Sequence, residues 1–435
     1  MSWKDTYNTK LTTLSDVVKK IKSGDKIWAG GYLSVPVLAL KELDKTALNL
    51  DNAELYAGLL TYPYEFLKPE YVGHLTYRSL FMGPLEKKAQ NGGNAEIITY
   101  HLSNVKEVLD RIDFDVMIVE TTPPDENGYM SMGACGGVGN RIVLDRNIKT
   151  VIAIINENQP FVGNKENLLH IDDVHFIAEG HHPIAEAKPA APSEVEIQIA
   201  KLILPMIKDG STIQIGIGGL SNTIGLGLKN HKNLGIHTEM FTESMMELCK
   251  AGAVTGAAKN YQPHKIVTAF AAGSQELLDF MDHNDQIKID NVGIVNNPNE
   301  IAKNDNLVSI NTCIMIDLTG QVAAEGIGHK QISGTGGQVD FIRATRISKG
   351  GLSIITLKST YKGKDGIDST IKFELPPGTP VTTLRNDVQI IVTEYGVADL
   401  RGLSTVQRAK ALINIAHPDF RDELRNAAIA INLYK

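Results

Sequence analysis

The stretch Ile21-Lys22-Ser23-Gly24-Asp25-Lys26-Ile27 reappears as Ile207-Lys208-Asp209-Gly210-Ser211-Thr212-Ile213. Each copy runs into a short apolar strand and then a glycine turn, Gly30-Gly31 in the first and Gly216-Ile217-Gly218-Gly219 in the second. Two further echoes follow in the same order. SLFMGP around Gly83 is answered by TAFAAGS around Gly273, and PDENGYMSMG around Gly128 by IDLTGQVAAEG around Gly320. The separations from Ile21 to Ile207, Gly83 to Gly273 and Gly128 to Gly320 are 186, 190 and 192 residues. A solenoid would show a shorter period and more copies. Two copies of this length predict two similar domains.

Outward from these copies, the seam falls at residues 183–192, where proline and alanine dominate and neither helical nor strand periodicity survives. Such a segment is a short, semi-stiff linker. The domains are accordingly expected at 1–185 and 193–435. Glu194–Lys208 is amphipathic and predicts the helix that opens the second copy. β-Branched runs at Val116–Glu120, Thr150–Asn156, Thr212–Ile215, Ile354–Leu357 and Gln389–Val392 alternate with helical stretches. That alternation predicts an α/β fold of two similar tandem domains with mainly parallel sheets. In such sheets ligands bind beyond the carboxyl ends of strands, so the loops that follow strands are where chemistry belongs.

A chain of 435 residues is too long for one ordinary domain, and its 43% hydrophobic and 21% charged residues suit a soluble globular protein with large cores. The formal net charge of −7 and a pI near 6.0 argue against nucleic acid or an anionic membrane as partner. A polyanionic ligand would need local positive contacts. The opening MSWKDTYNTKL has no apolar segment after basic residues, so no signal peptide is expected. No apolar run approaches the roughly 18–20 residues that span a bilayer. Cys135, Cys249 and Cys313 are widely separated and form neither a CxxC pair nor a metal-ligand spacing. Buried structural thiols in a reducing cytoplasm are the expectation.

Several signatures of chemistry are absent: there is no P-loop, no GxSxG elbow and no HExxH zinc helix. The turn Gly216–Gly219 follows a strand, where bare backbone N–H groups can approach phosphates or pantetheine; the alternative is a plain strand-to-helix turn. Ser333-Gly334-Thr335-Gly336-Gly337-Gln338-Val339-Asp340-Phe341 places three glycines in four positions, at an entropic cost on folding. Such a stretch suits a backbone that touches a ligand, and the apolar Val339 and Phe341 lead it into packed structure rather than a floppy loop. Glu239 ends a short strand-like run, Gly235-Ile236-His237-Thr238-Glu239, ahead of a helical stretch. By composition and periodicity alone it is a surface charge like Glu243 or Glu247.

Together these segments resemble the acetyl-CoA hydrolase/transferase family, within the class I CoA-transferases, over nearly the whole chain. The resemblance is carried by SLFMGP (79–84), TTPPDENGYMSMG (121–133), QIGIGGL (214–220), GIHTEM (235–240), SGTGGQVDF (333–341), TEYGVADLRG (393–402) and IAHPDFRDEL (415–424). The length is similar to that of the 4-hydroxybutyrate and butyryl-CoA:acetate CoA-transferase branch. The resemblance implies that Glu239 is the nucleophile and that Gly216, Ile217, Gly218, Gly219 and Leu220 bind CoA, with contributions from Ile314, Gly336 and Lys349. It implies an oxyanion site built from Asn297 and the backbone N–H of Gly337. It also implies a cytoplasmic homodimer, acyl-CoA and short-chain carboxylates as substrates, and no permanently bound cofactor or metal. Two places depart from the family pattern. Thr242-Glu243-Ser244 stands where many relatives read Ser-Asp-Gly, and Gly326 where serine is common; both are expected to alter the acyl pocket.

The chemistry that follows is ping-pong. A carboxylate is ionised at neutral pH and needs no general base. Attack on an acyl-CoA thioester gives an acyl–glutamyl anhydride and CoA thiolate; the thiolate then attacks the glutamyl carbonyl, releasing the first acid and leaving a glutamyl-CoA thioester. A second carboxylate, acetate, reverses the sequence. Each addition builds an oxyanion, for which one fixed donor contributes about 3–4 kcal/mol. Both intermediates hydrolyse if water enters, so closure of the site decides between transferase and acyl-CoA hydrolase. A non-catalytic CoA-binding protein is the alternative from another class, and mere binding requires no nucleophile. His237 is expected to pack, and Glu243 and Glu247 to lie on a helix surface.

Overall fold

The computed structural model describes residues 2–90, 92–146, 148–187, 191–363 and 366–434. Two eight-stranded sheets dominate it. The first contains β1 (Leu11–Thr12), β2 (Lys26–Gly31), β3 (Ala53–Gly58), β4 (Leu75–Ser79), β5 (Ala95–Ile97), β6 (Val116–Thr121), β7 (Thr150–Ile155) and β8 (Phe176–Glu179). Its spatial order is β1-β8-β7-β6-β2-β3-β4-β5, and every pairing is parallel. The second contains β9 (Thr212–Ile215), β10 (Gly235–Thr242), β11 (Ile266–Ala272), β12 (Ile287–Ile289), β13 (Leu307–Thr312), β14 (Leu352–Thr356), β15 (Ile390–Thr393) and β16 (Gly396–Asp399). Its order is β12-β11-β10-β9-β13-β14-β15-β16, with an antiparallel hairpin only at the β16 edge among the registered pairs.

The two orders correspond position by position. From β2 the chain steps outward through β3, β4 and β5, then returns to the other side of β2 for β6, β7 and β8. From β9 it steps through β10, β11 and β12, then returns to the other side of β9 for β13, β14 and β15. The repeat read in the sequence is therefore a repeat of topology, and it extends to turn geometry. Gly24 and Gly210 both sit at positive φ (+82° and +76°), and each donates its N–H across 2.9 Å to a carbonyl of the next crossover, Asp51 in one copy and Lys232 in the other. Asp125 Oδ1 accepts from the N–H groups of Asn127 and Tyr129; Asp317 Oδ1 accepts from those of Thr319 and Gln321. Each copy has one topological switch point, between β2 and β6 and between β9 and β13, where open α/β sheets bind ligands.

The helices that bear on the site are α1 (Pro84–Gln90), α2 (Glu194–Ile203), α3 (Gly219–Gly227), α4 (Glu243–Lys250), α5 (Pro298–Ile301) and α6 (Gln338–Ile347). Ser193 caps α2 in a capping box with Glu196. The helix stops at Ile203 rather than the predicted Lys208, because Pro205 falls in a 3₁₀ turn, Leu204–Met206, and brings no N–H to continue the ladder. The β14 strand starts two residues earlier than predicted and ends one earlier, with Leu352 registered to Val308 and Thr356 to Thr312. Of the expected linker, residues 188–190 lie outside the described residues.

The chain packs as two compact units. One comprises Met1–Lys188, Glu239–Phe241 and Val267–Val295; the other comprises Pro189–Thr238, Thr242–Ile266 and Asn296–Lys435. In the first unit, alternate residues of the sheet feed two cores: Ile27, Leu55, Ile118 and Ile152 on one face, Trp28, Tyr56, Met117 and Val119 on the other. Burial on both faces is what makes these strands read as continuous apolar runs. Each large side chain so buried contributes on the order of 1.5–3 kcal/mol. In the second unit a large core surrounds Ile316, Ile355, Ile391 and Leu412, and a small one forms where α5 and α6 bring Ile301, Phe341 and Ala344 onto Leu307. Burial pushes all three cysteine thiols up to about 12; Cys135 and Cys313 are buried as expected, whereas Cys249 is partly exposed. Among the described residues, no helix is long and apolar enough to cross a membrane.

Candidate active site

The second unit's switch point begins where β9 ends. The Gly216 N–H donates to the Ile310 carbonyl across 2.8 Å, holding the turn against β13. Ile217 is 59% exposed, and Gly218 (φ +106°, ψ 175°) caps α3. A Cβ at Gly218 would meet nothing within 4 Å, so the backbone here lies bare; one at Gly219 would come within 3.0 Å of Glu196 Oε1. The first N–H groups of α3 have no helical acceptor and carry the positive end of its dipole. Leu220 is buried and anchors the helix beneath the turn.

Under this turn lies a closed polar group. Gln214 Oε1 accepts from Ser309 Oγ (2.7 Å) and Asn311 Nδ2 (3.1 Å), and Gln214 Nε2 donates to Asn311 Oδ1 (3.2 Å). Beside the turn, Lys358 Nζ lies 3.2 Å from Glu196 Oε1. Burial works to raise the Glu196 pKa, but hydrogen bonds from Ser193 and Lys358 outweigh it and hold the carboxyl below its usual range. The ion pair thus sets a half-exposed cation next to Gly219.

Gly336 (φ +67°) and Gly337 lead into α6, with Gly337 as its N-cap. The segment is tied down, as the buried Val339 and Phe341 predicted: Glu325 accepts from the N–H groups of Ile332 and Ser333 through its carbonyl, and from Thr335 Oγ1 through its carboxylate. Gln338 Nε2 donates to Thr383 Oγ1, Thr383 pairs with Val322, and the neighbouring Ala323 carbonyl accepts from the Ile314 N–H. Ile314, two residues beyond β13, and the start of α6 therefore share the carboxyl edge with Gly216–Leu220. Lys349 does not. Its carbonyl accepts from the N–H of Asn306, just before β13, so it lies at the amino edge, beyond the full length of α6, about 15 Å away. The lysine on the correct edge is Lys358, two residues past the end of β14.

Glu239 is the fifth residue of β10 and is partly exposed, whereas Gly235–Thr238 are all buried. Its carbonyl accepts from Thr268 Oγ1 at 3.1 Å. Tyr100, three residues past the end of β5, has its hydroxyl pKa pushed well up, first by burial and then by the Glu239 carboxylate. Asn297 caps α5, with its side-chain oxygen accepting from the Asn299 N–H (3.0 Å); this leaves the amide N–H₂ as the group able to donate. The adjacent Asn296 is fully buried. His237 is buried against Tyr261 and Phe341, a packing role as expected. Glu247 pairs with Lys229 on the surface of α4.

Residues 1–186 match the acetyl-CoA hydrolase/transferase N-terminal domain, and residues 273–428 match the C-terminal domain of the same family. The chain belongs to the acetyl-CoA hydrolase/transferase family. It is similar to the 4-hydroxybutyrate coenzyme A transferase of Clostridium kluyveri, 40% identical over 98% of this chain and 99% of that one. It is also similar to the butyryl-CoA:acetate CoA-transferase of Anaerostipes caccae, 38% identical over 98% of this chain and 97% of that one. Among solved structures, RipA from Yersinia pestis superposes with a TM-score of 0.93 at 32% identity, covering 100% of both chains.

The two departures from the family pattern have local causes. A Cβ at Gly326 would come within 2.9 Å of the Lys330 carbonyl and 3.2 Å of Pro380, so serine does not fit without a shift. Ser244 is buried under Gly225, where an added Cβ would lie 2.4 Å from its hydroxyl; α3 and α4 meet there because one partner is glycine. Two residues of interest had escaped sequence reasoning. Lys358 could have been found by asking which lysine follows a strand rather than a helix, and Tyr100 by its place just beyond the carboxyl end of β5.

Proposed function

We propose that this chain is a CoA-transferase that moves CoA between a short-chain acyl-CoA, butyryl-CoA or 4-hydroxybutyryl-CoA, and acetate. The observation that carries the reading is the open turn Gly216–Gly219 at the second switch point, in a chain 40% identical to a relative named for this chemistry. The N–H groups at the start of α3 and the Lys358 ammonium offer an anionic ligand a cradle and a counter-charge. Glu239 is the nucleophile: its carboxylate attacks the thioester carbonyl and expels CoA thiolate. The thiolate attacks the resulting glutamyl carbonyl, the first acid leaves, and a glutamyl-CoA thioester remains for acetate to open. Asn297, whose amide oxygen is committed to its cap, presents its N–H₂ to the oxyanion together with the Gly337 N–H. CoA is a substrate and no resident cofactor takes part. The domains divide at 1–185 and 193–435, and the enzyme works in the cytoplasm as a homodimer.

Trapping tests this directly. The protein is incubated with butyryl-CoA, any glutamyl thioester is reduced with borohydride, and the modified peptide is located by mass. The expected mass change lies on the peptide carrying Glu239, and an unmodified peptide there overturns the covalent route. Measuring CoA release with and without acetate separates transfer from hydrolysis. Activity that does not depend on acetate would make the chain a hydrolase.

A further inference from the structure

The amide–hydroxyl group Gln214–Ser309–Asn311 sits inside the second unit, yet nothing about folding alone calls for it. Gln214 and Ser309 are registered partners on β9 and β13, and Asn311 follows on the same face of β13. All three are buried, at 4%, 0% and 7% exposure, and the hydrogen bonds among them close on themselves. The duplicated first copy provides an internal comparison. With Ile27 matching Ile213, the partners Trp28 and Met117 on β2 and β6 occupy the places of Gln214 and Ser309, and Val119 that of Asn311. Those three are also buried, at 1%, 0% and 0%; Met117 and Val119 are apolar, and Trp28 brings one polar atom, an indole N–H that donates to Asn140 Oδ1 at 2.8 Å. The same fold position thus packs without a polar network between the two strands, and such a network costs desolvation that apolar packing does not.

The turns above the two positions also differ. In the first copy the chain closes over its glycines: a Cβ at Gly30 would lie 2.7 Å from Ser34 Oγ, and Tyr32–Ser34 forms a 3₁₀ turn there. In the second copy Gly218 faces open space, and a Cβ at Gly216 would touch Asn311 Oδ1 at 3.4 Å. Asn311 is further fixed by Thr356 Oγ1, which donates to its carbonyl at 3.1 Å. The polar trio therefore abuts the first residue of whichever of these two corresponding turns is open, the one at Gly216–Gly219.

We infer that Gln214, Ser309 and Asn311 are positioning residues that hold the Gly216–Gly219 turn in the conformation that receives CoA. The inference rests on the reading that this turn binds CoA. Rigidly aimed backbone donors bind an anionic ligand without reorganisation, and a turn free to shift loses that advantage. The trio touches no substrate; it acts through the backbone above it.

The test uses the full chain with Gln214→Met, an apolar side chain of similar length, and Ser309→Ala as a milder variant in case the first folds poorly. Ser353 provides the control: it registers with Ser309 on β14, is equally buried, and its hydroxyl has no hydrogen-bond partner among the described residues. CoA affinity is measured by calorimetry, alongside KM for butyryl-CoA, KM for acetate, kcat and the thermal midpoint. Expected is about a tenfold rise in the CoA Kd and the butyryl-CoA KM for Gln214→Met and a smaller rise for Ser309→Ala. KM for acetate and kcat stay within twofold, and Ser353→Ala matches wild type throughout. CoA affinity unchanged in both trio variants overturns the inference, as does a fall in thermal midpoint with no change in Kd. If the wild-type protein itself binds no CoA, the reading of the site fails instead.

Discussion

Replacing Gly218 by alanine isolates the backbone's share in this site. At φ +106° and ψ 175° Gly218 occupies a region nearly reserved for glycine, where another residue is strained by about 1–3 kcal/mol. No steric term adds to this, because the new methyl group would meet nothing within 4 Å. Gly216→Ala is the matched comparison. Its Cβ would make ordinary contacts, at 3.4 Å to Asn311 Oδ1 and 3.5 Å to the Ile310 carbonyl, and its φ is not left-handed. The strain in Gly218→Ala has two outlets. If the turn keeps its shape, stability falls by about 1–3 kcal/mol and CoA binding persists. If the turn swings to a permitted φ, stability is retained and the first N–H groups of α3 point elsewhere, so affinity falls instead. Urea unfolding and CoA calorimetry on the same samples therefore give losses that together amount to at least about 1 kcal/mol, near a fivefold change in an equilibrium constant. Gly216→Ala should stay within about 0.5–1 kcal/mol of wild type by both measures. A Gly218→Ala protein indistinguishable from wild type in midpoint and in Kd would refute both the strain and the role of the turn.

Three other perturbations give distinct readouts. Glu239→Ala should abolish transfer from butyryl-CoA to acetate while CoA Kd stays within about threefold of wild type; appreciable residual transfer would move the nucleophile elsewhere. Glu86 is buried in α1, where its carboxylate accepts from the N–H groups of Leu60 (2.7 Å) and Gly83 (3.0 Å) and from the Tyr77 hydroxyl (3.3 Å). Glu86→Ala orphans all three donors and should cost about 2–4 kcal/mol by denaturant unfolding, more than Glu86→Gln, which keeps one acceptor; a loss under about 1 kcal/mol would show that the loops after β3 and β4 do not depend on it. His182 bonds through Nε2 to the buried Glu120 at 2.8 Å: burial alone would lower its pKa, but this bond and the Glu120 charge outweigh it and hold the imidazole above 6.5. The stability it supplies is thus complete below pH 6.5 and fades as pH rises through the raised value, so the gap between wild type and His182→Gln should narrow above neutrality. A gap constant from pH 5.5 to 9 would show that the pair is not ionic.

The fold was legible because its two copies share backbone requirements that sequence records directly. Gly24 and Gly210 are needed at positive φ, Asp125 and Asp317 bridge the same turn, and the strands are buried on both faces and so read as apolar runs. Two boundaries departed from the sequence pattern for different reasons. The α2 terminus is set locally, by Pro205 inside an otherwise amphipathic span, and the start of β14 by its register with β13. Nothing in the apolar run of 354–357 contains that register.

Within the candidate site, legibility followed the same division. Gly216–Gly219, Ile314 and Gly336–Gly337 follow strands or open a helix, so their place at a carboxyl edge is implied by connectivity alone. Lys349, implied by the resemblance, follows the glycine segment closely in sequence but not in space, for a geometric reason. A crossover helix in a parallel sheet runs back from the carboxyl edge to the amino edge, and each helical residue travels about 1.5 Å in that direction. The ten residues of α6 therefore carry Lys349 away from Gly337 by the depth of the sheet, and only after β14 does the chain return, at Lys358. In a doubly wound sheet a cation counts towards a ligand site by the number of crossings that separate it from the turn, not by its distance in residues. By that measure Lys349 lies half a crossing out of phase, and Lys358, held by Glu196 beside Gly219, is in phase.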